Sequence, residues 1–137
     1  MTSAIMKHFG IGVEEAEKMK NEKGFLEGKD NRELYEALMS TISVFRDELV
    51  RHIAYWDSSD DGIPRKKISH AYVVGGNANL KGLPEFLSRT LNISVLMANP
   101  WANVFSLDAY IPKMPANEAL QYATTIGLAL RSHKGSW

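Results

Sequence analysis

With 137 residues the chain fits one ordinary domain that can bury a real core, and 45% hydrophobic against 23% charged residues excludes a disordered segment. Sixteen Lys and Arg balance sixteen Asp and Glu, so the net charge of zero gives no reason to expect a nucleic-acid partner. The absence of cysteine excludes a disulfide scaffold and thiolate metal sites, and it suits a reducing cytoplasm.

Thr2–Phe9 reads as a short helix, with Thr2 or Ser3 as its cap and Ile5, Met6 and Phe9 on one side. The same opening lacks the basic-then-apolar layout of a signal peptide. No apolar run anywhere approaches the roughly 20 residues of a membrane span, so any membrane association is expected through partners. Gly10 and Gly12 end this element. Val13–Lys20 follows as a second helix, with Glu14 and Glu15 suited to its positive first turn and Lys18 and Lys20 to its last. Asn21–Asp30 reads as a polar loop.

From Asn31 to Tyr55 and just beyond, Leu34, Leu38, Ile42, Phe45, Leu49, Ile53 and Trp56 recur every three or four residues. That spacing predicts one long helix with a continuous apolar stripe facing a core, since the charge pairing of a coiled coil is missing. Asp57–Lys67 is a break. Ser69–Val74 then reads as a strand, Leu83–Leu91 as a helix with Pro84 in its first turn, and Ile93–Ala98 as a second strand. Asn99–Ala116 is a long irregular loop with three prolines, and Asn117–Ser132 a closing helix with Leu120, Ala123, Ile126 or Gly127, and Leu130 on one face.

Strand, helix, strand is a βαβ unit, whose strands run parallel. A parallel pair is normally buried on both faces, and two strands do not make an independent sheet. The chain is therefore short of strands. Either a third lies in Asn103–Ile111, or material outside this sequence completes the sheet.

Several motifs fail on inspection. Asp57-Ser-Ser-Asp60-Asp61-Gly62 imitates the start of a calcium loop, but the twelfth position is Ile68 where a bidentate glutamate is needed. His8, His52, His70 and His133 have no metal-ligand spacing, and no nucleophile elbow is present. Arg65-Lys66-Lys67 is a short basic run suited to a solvated edge, and Lys81-Gly82 lacks the spacing of a phosphate loop.

Two features remain. Gly75 and Gly76 stand where the first strand ends, the place where open α/β sheets bind ligands, and they leave a nearly bare backbone there. A tight strand-to-helix turn would explain them equally well. Glu17 and Lys20 are three apart on one helical face. They form either a surface ion pair worth a few tenths of a kcal/mol, or a carboxylate for a sugar hydroxyl with an ammonium near a base or phosphate.

The run V-V-G-G-N-A-N-L-K-G-L-P-E-F-L from Val73 to Leu87 resembles the adenosine motif of the actin-like ATPase superfamily. Glu14-Glu15-Ala16-Glu17-Lys18-Met19-Lys20 is similar to that superfamily's helix facing the adenosine, and Tyr122–Arg131 to the final helix of its bacterial members. Ala98-Asn99-Pro100-Trp101 and the helix end Arg51–Trp56 most resemble the PilM family of type IV pilus assembly proteins, with FtsA-type division proteins as the next relatives.

The resemblance implies an α/β fold, the C-terminal portion of an actin-like (ribonuclease H-like) ATPase lobe, helix-rich with a small, incomplete parallel sheet. Residues 1–30 would belong to an inserted subdomain facing the nucleotide, and residues 31–137 to the end of the second lobe. Gly75, Gly76, Asn77 and Asn79 would line the adenosine, with Glu17 and Lys20 opposite. The two phosphate-binding hairpins of the superfamily have no counterpart here; Asp60-Asp61-Gly62-Ile63 is the nearest string. ATP with magnesium is thus expected in a full-length protein, and this chain alone is expected neither to hold nucleotide nor to act as an ATPase. Asn77 replaces a further glycine common in the pilus relatives, which puts adenine preference in question.

Implied partners are the remainder of the same actin-like fold and inner-membrane pilus assembly proteins, with self-association through an exposed sheet edge as another outcome. The implied location is cytoplasmic, peripheral to the inner membrane through partners. Two alternatives stand beside this reading. One is a scaffold with a vestigial pocket, docking through the long helix or the Asn99–Ala116 loop. The other is an FtsA-like division protein, against which the tail Ser132–Trp137 is too short for an amphipathic membrane helix.

Overall fold

The computed structural model describes residues 1–58, 66–106, 108 and 110–133. Outside them lie the Asp60-Asp61-Gly62 string, Arg65 of the basic run, and residues 134–137 of the tail. The described chain forms two compact units, Met1–Ala71 with Leu80–Val95, and Tyr72–Asn79 with Leu96–Trp137.

In the first unit, α1 (Thr2–Phe9) stops at Gly10, and α2 (Val13–Lys23) runs three residues beyond the expected Lys20. A 3-10 turn at Lys29–Asn31 leads into α3 (Arg32–Ser58), and α4 (Leu83–Leu91) carries Pro84 in its first turn as predicted. Ile5, Ala16, Leu34, Leu38, Ile42, Phe86 and Leu87 are buried together as the core. Phe25, expected in a polar loop, is also buried: its ring stacks on Tyr35 at 4.4 Å and meets the edge of Phe86 at 5.1 Å. Such pairs add to the area term, and an aromatic this size dominates a small core.

The stripe on α3 is core-facing only in its first half. Leu34, Leu38 and Ile42 are buried, Leu49 and Ile53 half-buried, and Phe45 and Trp56 exposed. Helical period places these residues on one side but does not supply a neighbour along the whole of a 27-residue helix.

Strands β1 (His70–Val73) and β2 (Ser94–Met97) make a two-stranded sheet. Ser94 N–H donates to the Ser69 carbonyl at 3.0 Å and Ala98 N–H to the Val73 carbonyl at 3.1 Å. The partners advance together along both strands, so the pair is parallel as the βαβ order requires. Among the described residues of the following loop there is no third strand; residues 100–104 form turns instead.

In the second unit the closing helix is interrupted. It comprises α5 (Ala116–Ala119), a 3-10 turn at Leu120–Tyr122, and α6 (Ala123–His133). The tightened turn lies where the Leu120 carbonyl accepts from both Ala123 N–H and Gly75 N–H. Leu120 is buried and Ala123, Ile126 and Leu130 are half-buried, which is the face the sequence pattern selects. No helix of the described residues is long and apolar enough to cross a membrane.

Candidate functional site

The glycine turn lies in the second unit, immediately after β1. Gly75 sits at φ +94, a conformation that costs an L side chain but not glycine. Its N–H donates to the Leu120 carbonyl at 3.0 Å, and its own carbonyl accepts Ala78 N–H at 3.0 Å. The second bond turns the chain into a 3-10 segment, Gly76–Asn79, anchored by the buried Ala78. Asn79 donates its side-chain amide to the Asn117 carbonyl at 2.7 Å, tying the end of the turn to α5. A donor so engaged acts first as a strut.

Gly76 differs from its neighbour. Its φ lies outside the left-handed region, and a Cβ built on it would meet only the Gln121 Cβ, at 4.0 Å. A Cβ on Gly75 would meet nothing within 4 Å. Gly76 and Asn77 are exposed. The turn therefore presents bare backbone to open space, and at Gly76 neither backbone geometry nor packing demands it.

Glu17 and Lys20 belong to the first unit, on α2. They pair at 2.7 Å, but not as an ordinary surface pair, because Lys20 is only 8% exposed. Lys20 Nζ also donates to the other Glu17 oxygen at 2.9 Å and to Thr2 Oγ1 at 3.3 Å, while the Thr2 hydroxyl donates to Glu17 Oε1. These hydrogen bonds, that from Lys20 first and that from Thr2 second, hold the Glu17 carboxyl below its ordinary value of 4.5 despite some desolvation. Burying an ammonium is tolerable only when it is paired and hydrogen-bonded, as here.

The fold thus gathers Gly75, Gly76 and Asn79 into one turn and Glu17 with Lys20 into one cluster. A cleft of about 270 Å³ opens elsewhere on the first unit, with Phe9, Met19, Lys23, Asn31 and Leu34 among its walls; neither Glu17 nor Lys20 lines it. Among the described residues no group of three His, Cys, Asp or Glu side chains comes together to hold a metal ion.

Sequence reasoning noted Thr2, Gly82 and Trp101 but did not find the roles the fold gives them. Thr2 was legible only as a cap, which neither it nor Ser3 is: the N-cap is Met1 and no side chain caps the helix, while the Thr2 hydroxyl is spent on a partner fifteen residues away. Gly82, at φ +84, presses so closely on the Phe25 carbonyl that no Cβ fits, and Phe25 N–H donates to the Lys81 carbonyl at 2.7 Å beside it. Trp101 pins the loop after β2: its backbone N–H donates to Asn99 Oδ1 at 3.0 Å, its indole N–H donates to the Met114 carbonyl at 3.2 Å, and its ring stacks on Phe105 at 5.6 Å. The Asn-Pro-Trp string is the signal for that pin.

The profile of the family described as type IV pilus assembly protein PilM matches residues 1–133. Nine chains of solved structures also match. One, titled "PilM-PilN type IV pilus biogenesis complex", superposes with a TM-score of 0.71 at 24% identity over 95% of this chain, and at that identity the likeness shows the fold. This chain spans 35% of the length of that one. No curated protein matches it.

Proposed function

Because the chain belongs to the type IV pilus assembly protein PilM family, we propose that it is the carboxyl-terminal part of a longer actin-fold protein of the cytoplasmic pilus platform, and that it carries the adenosine side of a nucleotide pocket. In this reading residues 1–30 come from an inserted subdomain and residues 31–137 from the end of the second lobe. The partner class is a membrane-anchored pilus assembly protein, in keeping with the PilN named beside PilM in the matched complex. The division-protein alternative is not carried further, since the family match favours the pilus system.

The observation that carries the nucleotide reading is Gly76. Gly75 is explained by its φ and Gly82 by its close contact, but among the described residues neither φ nor packing explains Gly76. A flat ligand lying on the exposed backbone of residues 75–77 would. Asn77 is exposed at the same place, and Asn79 holds the turn to Asn117. Separately, within the first unit, Glu17 would accept from a sugar hydroxyl, with Lys20 near a base or phosphate. Phosphates and magnesium, which supply the charge and metal of any phosphoryl chemistry, would be held by segments with no counterpart in this sequence.

Titrating the full-length protein with ATP, against a Gly76→Leu variant, tests the assignment. The variant is expected to bind at least about tenfold more weakly, because a side chain would fill the space a base needs, and to melt at an unchanged temperature. Equal affinity would remove the turn from the site. The scaffold reading draws on a different observation: in the loop pinned by Trp101, Ile111 is 84% exposed and Tyr110 is also open to solvent. A protein that retains partner binding without any nucleotide would favour that reading.

A further inference from the structure

Beside the glycine turn, within the same unit, one further polar side chain is held in place. The Gln121 Cβ lies 4.0 Å from where a Cβ on Gly76 would stand, and no other described residue beyond the chain neighbours comes so near. Gln121 belongs to the 3-10 turn Leu120–Tyr122 that interrupts the closing helix. Two bonds brace that stretch against the glycine turn: the Leu120 carbonyl accepts Gly75 N–H at 3.0 Å, and the Asn117 carbonyl accepts the Asn79 amide at 2.7 Å. Leu120 itself is buried. The Gln121 stem is thus fixed beside bare backbone, while the residue is exposed and its carboxamide makes no hydrogen bond with any described residue.

We infer that Gln121 is a specificity-determining residue that reads the edge of an adenine base lying over Gly76. This rests on the nucleotide reading and adds to it the group that chooses the base. Bare backbone under a stacked ring accepts any flat ligand, so discrimination has to come from a side chain at the ring's edge. A carboxamide sets an acceptor oxygen beside a donor nitrogen. Adenine presents the converse, a 6-amino donor beside a ring-nitrogen acceptor, so two bonds form at once. Where guanine shows O6 beside N7 both atoms accept, and only one bond forms. An uncharged carboxamide makes no charge-assisted bond to phosphate, which favours the base over the phosphate chain as its partner. With the stem already held by the two braces, only the outer torsions lose freedom on binding.

The test compares ATP, GTP and purine riboside triphosphate, which lacks the 6-amino group, on the full-length protein and its Gln121→Met variant. Methionine keeps the length of the side chain and removes the carboxamide. The parent is expected to bind ATP more tightly than either analogue. Gln121→Met should weaken ATP about fivefold or more, the range for two neutral hydrogen bonds, and bring ATP and purine riboside triphosphate to nearly equal affinity. Its melting temperature should be unchanged, because the position is exposed. An equal loss for all three nucleotides, or no loss for ATP, overturns the inference, since a structural role would not distinguish the bases. A parent that prefers GTP, or that binds ATP and purine riboside triphosphate alike, also overturns it and leaves the glycine turn to be judged by Gly76→Leu. A parent that binds none of the three overturns the nucleotide reading and this inference together.

Discussion

A side chain at Gly75 would be strained at φ +94, whereas one at Gly76 would touch nothing nearer than the Gln121 Cβ at 4.0 Å. The two adjacent glycines therefore separate architecture from function. Gly75→Ala is expected to cost about 1–2 kcal/mol through backbone strain, while Gly76→Ala should stay within about 0.5 kcal/mol, the range for open surface positions. Urea melts of both variants check this, and a large loss at Gly76 would give that glycine a structural explanation and remove the case for a ligand. Glu17 yields a second residue-scale prediction. Its carboxyl is held low by Lys20 and then Thr2, so its contribution is complete above the unfolded value and disappears as pH falls through the lower folded one. Stability should therefore drop on the acid side of about 4.5, and Glu17→Gln should flatten that part of the curve. Thermal melts at stepped pH decide; parallel curves for parent and variant would contradict the hydrogen bonds.

At the scale of elements, the meeting of the loop after α2 with the entry to α4 holds much of the first unit. Gly82 has positive φ and no room for a Cβ beside the Phe25 carbonyl, so Gly82→Ala combines strain with a backbone clash. A loss of about 3 kcal/mol or more is expected, comparable with the roughly 3–5 kcal/mol for emptying the site of Phe25 by Phe25→Ala. Denaturant midpoints measure both, and a neutral Gly82→Ala would mean the two loops do not cross so closely. None of this was visible in the sequence, where Phe25 stood among polar residues. What was visible was local. Apolar spacing gave Thr2–Phe9 and Leu83–Leu91 with the ends the structure has, though neither helix carries a side-chain cap, and the βαβ order gave a parallel pair. The first glycine was legible as a turn because it lies at a strand end, but the role of Thr2 required knowing that α1 packs on α2. The interruption of the closing helix at Leu120 likewise depends on a bond from Gly75, far away in sequence.

For the whole molecule, the decisive quantity is apolar surface left uncovered within each unit. In the second, Tyr72 is 66% exposed, and Val74, Leu96 and Met97 are also open around a sheet of two strands. In the first, Val44 is 69% exposed and Phe45 and Val50 are exposed along α3. A parallel pair is normally covered on both faces, and contiguous apolar patches on soluble proteins mark contact surfaces. The proposal that further strands and helices of the same lobe cover these patches has a measurable consequence. The 137-residue chain expressed by itself should associate, through its open strand edges and the bare half of α3, in a concentration-dependent way. Tyr72→Lys with Val74→Lys should reduce that association by charging the strand end, and Val44→Lys with Phe45→Lys should do so on α3. A longer protein containing the same residues should show neither the association nor any response of its oligomeric state to these pairs, though the sheet pair should destabilise it. Sedimentation velocity over a range of concentrations separates the cases. A chain that stays monomeric by itself at high concentration would mean these apolar residues need no cover, and the argument that the sheet is completed from outside the sequence would fail with it.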